Sequence, residues 1–218
     1  MKHIVNIEKW ERKDNFSVFQ GFVSCWFSMT CHVDCTDGYR HAKASGRSFF
    51  LYYLYSILRA ANEIKEFRFR INQWGRVVYY DNVDVLTPIA VPGRTFFTIR
   101  VKYYEDFDKF YTEARKQITT IPADGDPYGA DRMVGEQGDY DVILLSATPK
   151  LYFTSIGYTL MESGRALNYP LMNAGKAIMR DGRMEMPISM SVSHQFVDGA
   201  HIQRFMEKVE YYMNVVIK

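Results

Sequence analysis

The chain has 218 residues, a hydrophobic content of 47% and a formal net charge of +2. That size and apolar content support a packed core and exclude a disordered chain. The small, dispersed charge gives no reason to expect nucleic acid as a partner, and no apolar run is long enough to span a membrane. Residues 1–14 are charged and lack the apolar stretch of a signal peptide. Alternation of Val23, Cys25, Phe27, Met29, Cys31 and Val33 with polar neighbours predicts a long strand. Phe50, Tyr53, Leu54, Ile57, Leu58, Ala61 and Ile64 then recur at helical spacing. Strands are expected at 77–80 and 96–103. A helix follows at 107–118, with Asp106 near its cap. Residues 123–140, rich in Gly and Asp, read as a long loop. Further strands are expected at 142–145, 151–154, 173–179 and 186–193, before a last helix from Gly199. The mixed order predicts one domain over residues 1–218. Its fold class is α/β (α+β), a two-layer sandwich in which a mixed sheet is covered by helices.

Cys25, Cys31 and Cys35 are odd in number and lack CxxC spacing. Cys25 and Cys31, an even distance apart on one strand, read as small core residues, and a reducing, cytoplasmic compartment fits. His32, His41 and His201 show no metal-ligand spacing, so no metal is expected. Glycine-rich phosphate loops, the GxSxG elbow and the HExxH helix motif are absent.

The most informative block is Ser193-His194-Gln195-Phe196-Val197-Asp198-Gly199-Ala200-His201-Ile202. Met186, Ile188, Met190 and Val192 alternate with Pro187, Ser189, Ser191 and Ser193, the period of a half-buried strand. Continuing the phase puts His194 with the apolar set, facing the interior or a cleft. After Gly199, Ile202, Phe205, Met206, Val209, Met213 and Val216 mark an amphipathic helix. A histidine at a strand end before an Asp-Gly turn is suited to proton transfer near neutral pH. From the residues alone it is open between a general base and a satisfied core histidine, and Asp198 between a charge partner and a helix cap.

This block resembles the active-site signature of the chloramphenicol acetyltransferase family. Trp10-Glu11-Arg12 with Phe16, the strand Ser24-Cys25-Trp26-Phe27-Ser28-Met29-Thr30, the turn Ser146-Ala147-Thr148-Pro149 and Glu66-Phe67-Arg68 are similar to its other blocks. The His-Asp-Gly part is shared with the acyltransferase core of 2-oxo acid dehydrogenase complexes. The resemblance implies the coenzyme-A-dependent acyltransferase type of fold and O-acetylation of chloramphenicol or a related hydroxylated compound, with acetyl-CoA as co-substrate. It implies His194 as general base, Ser146 as oxyanion donor, and Asp198 paired with Arg12 to fix the loop. Phe19, Val23, Cys25, Phe27, Phe96, Ile156 and Tyr158 would line the acceptor pocket. Lys176 and Lys150 would lie at the coenzyme A site, Lys176 being equally readable as a plain surface lysine. His201 is given a structural role. A homotrimer is implied, with each site between subunits, His194 from one and most pocket residues from its neighbour. Ser193, Lys150, Asn173 and Ala177 depart from the family's histidine, aromatic, threonine and aromatic. These departures keep open a coenzyme-A-dependent acyltransferase with another hydroxyl acceptor, and a member that only binds ligand.

Overall fold

The computed structural model describes residues 1–22, 24–93, 95–136, 140–159 and 169–215. In chain order its elements are β1 (Lys2–Ile4), α1 (Lys13–Gln20), β2 (Trp26–Asp34), α2 (Thr36–Ala44), α3 (Phe49–Glu63), β3 (Phe69–Ile71), β4 (Val77–Tyr80) and β5 (Asp84–Ile89). There follow β6 (Phe97–Val101), α4 (Phe107–Thr119), α5 (Gly129–Glu136), β7 (Val142–Ala147), β8 (Leu171–Ala174), β9 (Ile178–Arg180), β10 (Arg183–Ser193) and α6 (Gly199–Asn214). The main sheet runs β2-β10-β8-β7-β5-β6, with β9 paired to β10, and a smaller sheet runs β1-β4-β3. β5, β7 and β8 pair in parallel and the remaining contacts of the main sheet are antiparallel. The fold is therefore an α+β one, a mixed open sheet with helices packed on it.

The sheet alternates side chains between its faces. Val85, Ile143, Leu145 and Met172 join Met186, Ile188, Met190 and Val192 in one buried cluster with α3 and α6. Leu86, Val142 and Leu171 face the other way, against Tyr169 and partly buried Ala130 and Val134 of α5. α3 is apolar almost all round and is correspondingly buried, with Leu51, Leu54, Ile57 and Leu58 at 0% exposure. Burial on that scale stabilises by roughly 1.5–3 kcal/mol per large side chain. Phe67 stacks on Phe205 of α6 at 4.5 Å. Glu63 at the end of α3 accepts from Tyr212 and, at 2.6 Å, from Lys208, both on α6. Asp106 caps α4 as its position predicts, accepting from Lys109 N–H at 2.7 Å.

Several sequence expectations need correction. The 151–154 run is not a strand: Leu151 is exposed and its carbonyl accepts from Lys176 N–H, at 2.8 Å, without a ladder. Residues 173–179 are not one strand but the end of β8 and the start of β9, broken at Gly175. A Cβ on that glycine would lie 2.5 Å from Pro187 Cγ and 2.8 Å from both Leu151 O and Phe153 Cε1. The long loop at 123–140 contains α5. β1, α1, α2, β3 and β5 are additional elements. The apolar phase of β2 is only half covered, with Met29 at 38% exposure, because β2 is an edge strand of the main sheet.

Candidate active site

β10 ends at Ser193 and delivers His194 into a tight turn. His194 N–H donates to Cys25 O at 2.7 Å, and Phe196 and Val197 N–H both donate back to Ser193 O. The turn closes on Asp198, the N-cap residue of α6. Phe196 of the same turn joins an aromatic cluster with Trp10, Phe16 and Phe69, at centroid distances of 5.0 to 6.2 Å. That cluster explains why a tryptophan two residues before Arg12 and a phenylalanine four after it matter: they seat the N-terminal segment on the turn.

Arg12, 8% exposed, then reaches Asp198 with both ends of its fork, Nη1 to Oδ2 at 2.7 Å and Nη2 to Oδ1 at 2.9 Å. This bidentate, charge-assisted pair holds the Asp198 carboxyl below the usual carboxylate range. His201 Nδ1 accepts from Asp198 N–H at 2.9 Å while its Nε2 faces Glu66 Oε1 at 3.4 Å. Burial pulls the His201 imidazole down, against the pull of Glu66.

His194 stacks on Phe19 at 4.2 Å and lies against Phe27 at 4.6 Å. Its Nδ1 is buried, without a hydrogen-bond partner, and 3.3 Å from Asp198 Oδ1. A carboxylate beside Nδ1 favours the tautomer that carries its proton there, which leaves the Nε2 lone pair to accept. The ring is 36% exposed, so the phase argument delivers it to a cleft rather than to the packed interior. Cys25 Sγ sits 3.3 Å from Ser193 Oγ and 3.5 Å from Gln195 Oε1, with Gln195 buried. Cys25 and Cys31 are half-buried rather than core, while Cys35 is fully buried and its thiol is pushed up to about 12 by burial. Val23 lies outside the described residues.

Phe19, Cys25 and Phe27 thus gather around His194 of their own chain. The cause is register: β2 and β10 run antiparallel with Trp26 opposite Ser193, so residues 25 to 27 flank the strand end.

Ser146 lies elsewhere on the same sheet. It pairs with Asn173 of β8, and Asn173 pairs with Ser189 of β10. Around it, Thr148 Oγ1 donates to Asn173 Oδ1 at 2.9 Å. Tyr158 brings a buried hydroxyl with no hydrogen-bond partner close to Ser189 and the Asn173 backbone, and burial pushes its pKa up to about 12. Phe96 immediately precedes β6 and packs edge-on to Tyr128 at 5.2 Å; Ile156 is half-buried. Lys150 and Lys176 are exposed on this side, brought together by the Lys176 N–H to Leu151 O bond. His194 stands five positions beyond Ser189 along β10, so Ser146 and His194 of one chain are on the order of 20 Å apart, from strand rise and spacing. A surface hollow of about 410 Å³ between α2 and α6, lined by Asp37, Arg40, His41, Met213 and others, touches none of these residues. Among the described residues no group of three or more His, Cys, Asp or Glu could hold a metal ion, and no helix is long and apolar enough to cross a membrane.

Sequence reasoning missed Phe196 and Glu66 as supports of the turn, and the Thr148–Asn173 bond. Phe196 lies inside the quoted block, and the aromatic-rich N-terminal segment offered the signal for its partners.

Comparison with known proteins places this arrangement. The family model described as chloramphenicol acetyltransferase matches residues 2–210. A chloramphenicol acetyltransferase of Clostridium perfringens is 28% identical over 209 residues, covering 95% of this chain and 93% of the relative. That of Clostridioides difficile is 29% identical over 213 residues, covering 94% and 93%. A solved chloramphenicol acetyltransferase structure superposes with a TM-score of 0.94 at 54% identity, covering 98% of this chain and all of that one. The cubic core of the pyruvate dehydrogenase complex, at 16% identity, 93% and 86% coverage and a TM-score of 0.64, shares the fold. The chain belongs to the chloramphenicol acetyltransferase family and is an acyltransferase.

Proposed function

We propose that this protein, as a single acetyltransferase domain in the cytoplasm, transfers the acetyl group of acetyl-CoA to a hydroxyl of chloramphenicol. The observation that carries the mechanism is His194, held between Phe19 and Phe27 with Nδ1 facing the clamped carboxylate of Asp198. An alcohol is a poor nucleophile at neutral pH and needs its proton removed as it attacks. His194 Nε2 takes that proton while the hydroxyl oxygen bonds to the thioester carbonyl carbon, and the carbonyl electrons move onto oxygen. Ser146 Oγ–H donates to that oxyanion. Collapse re-forms the carbonyl, breaks the C–S bond and releases coenzyme A, whose sulfur takes the proton back from the His194 imidazolium. Transfer is direct within a ternary complex. Phe19, Val23, Cys25 and Phe27, with Phe96, Ile156 and Tyr158 from the Ser146 side, wall the acceptor. Lys150 and Lys176 face the phosphates of coenzyme A.

Base and oxyanion donor must both lie within about 3 Å of the reacting atoms. A separation on the order of 20 Å along one sheet therefore supports sites shared between copies in a homotrimer, the His194 side of one chain facing the Ser146 side of the next.

The test is coenzyme A thiol release from acetyl-CoA by the purified protein, with and without chloramphenicol. Release that depends on chloramphenicol and falls at least a hundredfold in His194→Ala, a size within the usual range for general-base catalysis, is the expected result. Release with another hydroxylated compound and none with chloramphenicol would replace the acceptor. A folded His194→Ala protein that keeps most of its turnover would remove the base.

A further inference from the structure

Asp198 serves two histidines of opposite tautomer. Its carboxylate faces His194 Nδ1 at 3.3 Å, and its backbone N–H donates to His201 Nδ1 at 2.9 Å. His201 is the third residue of α6, where a side chain can reach back to the backbone N–H of the N-cap residue. A ring nitrogen that accepts a hydrogen bond carries no proton, so a neutral His201 has its proton on Nε2. Burial favours that neutral ring, whose side chain is 12% exposed. Its Nε2 faces Glu66 Oε1 at 3.4 Å, and the Glu66 side chain is itself only 16% exposed. An ionised carboxylate accepts and cannot donate, so it selects the Nε2–H form. The other charges around the ring are Arg204, whose Nη2 is 4.0 Å from Glu66 Oε2, and Arg12, which pairs with Asp198. Glu66 is held from both sides in sequence. Phe67 stacks on Phe205 at 4.5 Å, about one turn along α6 from His201. Arg68 Nη1 donates to Tyr80 O at 2.7 Å and to Asp81 O at 2.6 Å.

We propose that Glu66 is a positioning residue for His194, acting through the tautomer of His201. With Nε2–H turned to Glu66, His201 offers its Nδ1 lone pair to Asp198 N–H. That bond fixes the backbone of the residue whose carboxylate orients His194. Without Glu66, His201 is free to take the Nδ1–H form. Its proton would then confront the Asp198 N–H and turn towards Asp198 Oδ2, 3.7 Å away, the oxygen that Arg12 Nη1 holds at 2.7 Å. Arg12 therefore secures the carboxylate end of Asp198, and Glu66, through His201, secures its backbone end. The inference rests on the assignment of His194 as general base.

NMR of protein isotopically labelled at the histidine ring nitrogens reads the tautomer directly, the His201 signals being those that vanish in His201→Gln. The parent should show Nε2 protonated and Nδ1 bare, and Glu66→Ala should show the Nδ1–H form as well. Alongside, kcat and KM are measured by thiol release for the parent, Glu66→Ala, Glu66→Gln, His201→Gln and the double variant of Glu66→Ala with His201→Gln. A glutamine at the third helical position caps the Asp198 N–H with its own Oε1 and has no tautomer to choose. Glu66→Ala should therefore lower kcat about fivefold or more beside His201 and less than about twofold beside the glutamine, a coupling within the range for residues of one hydrogen-bond network. KM for either substrate should stay within about twofold, and Glu66→Gln, whose Oε1 still accepts from Nε2–H, should keep at least about half of the parent kcat. A packing role for Glu66 would move neither the tautomer nor the coupling. A parent His201 protonated on Nδ1 would overturn the proposal, as would equal losses in the two backgrounds, a loss confined to KM, or an unchanged kcat in Glu66→Ala. If Glu66→Ala does not fold, the parent spectrum and the kcat of Glu66→Gln decide. If the parent releases no thiol with any acceptor, or folded His194→Ala keeps its turnover, the reading of His194 as base fails; the spectra report on the Glu66–His201 pair separately, so the two failures are told apart.

Discussion

Arg12→Ala tests the part of the site that is most fully determined by geometry. The substitution removes two hydrogen bonds to Asp198, at 2.7 and 2.9 Å. Hydrogen bonds to charged groups contribute about 1.5–3 kcal/mol each, and losing one partner of a buried pair costs roughly 3–5 kcal/mol. Two features reduce that here. The Asp198 side chain is 32% exposed and can be rehydrated once Arg12 is gone. Arg12 Nε is itself buried without a partner, and that penalty disappears with the residue. The net loss should be about 2–3 kcal/mol. For a chain of this size each kcal/mol moves the melting temperature by about 2–4 °C, so a drop of roughly 4–12 °C is expected by calorimetry or circular dichroism. Turnover should fall with it, since the same carboxylate faces His194 Nδ1 at 3.3 Å. The pair also fixes the sign of the pH dependence. Because Arg12 lowers the folded-state pKa of Asp198, the pair's stabilisation is complete above the ordinary aspartate value and is lost as pH falls through the lowered one. The melting-temperature gap between parent and Arg12→Ala should therefore be widest near neutrality and narrow as pH falls below the ordinary aspartate range. A variant that melts within about 1 °C of the parent at pH 7, or a gap that widens on acidification, would refute the clamp.

Two further predictions concern the other side of the sheet. Gly175→Ala should destabilise by about 1–3 kcal/mol, as overpacking does, because its methyl group would press on Pro187, Leu151 and Phe153; melting at the parental temperature would show that the break between β8 and β9 yields freely. Mixing unfolded His194→Ala and Ser146→Ala chains and refolding them together should recover up to about a quarter of parental activity, the share of sites that random assembly of a cyclic oligomer gives an intact histidine and an intact serine. No recovery from mixed oligomers would place base and donor within one chain.

The strands and helices with strong periodicity were legible: β2, β10, α3, α4 and α6 follow from alternation or apolar stripes in their own residues. What escaped lacks that signal for identifiable reasons. α2 is built on small and polar contacts, with Thr36, Gly38 and Ala42 its buried residues, and a Cβ at Gly38 would come within 2.2 Å of Met213 O on α6. Such a helix is defined by close approach, not by a stripe. β5 lies inside the sheet with both faces covered, so Val85, Leu86 and Thr87 are all buried and nothing alternates. The hairpin from β9 to β10 was marked after all: Asp181 and Gly182 both have positive φ, 48° and 81°, in the Asp-Gly pair that suits a two-residue turn. In the site, His194 could be placed by phase, but its relation to Ser146 could not, because that depends on the order of three strands, β7, β8 and β10. The resemblance named both residues without saying how far apart one chain holds them.

That separation divides the demands on the sequence. The turn carrying His194 is fixed by contacts from three distant segments: the Cys25 carbonyl beside β2, the Trp10, Phe16 and Phe69 rings around Phe196, and the Arg12 guanidinium on Asp198. None is adjacent in sequence to residue 194, so the placement of His194 depends on the N-terminal segment docking as a whole, and damage there should lower stability and turnover together. Ser146 and Asn173 depend instead on register between β7 and β8, backed by Thr148 within the same layer. Substitutions in that row should leave the clamp in place, since the row shares no contact with it. A chain that holds His194 by tertiary docking and the Ser146 row by strand register can vary the second without loosening the first. Of the four departures from the family pattern, Lys150, Asn173 and Ala177 fall on the strand-register side; on the docked side only Ser193 departs, while Arg12, His194 and Asp198 are kept.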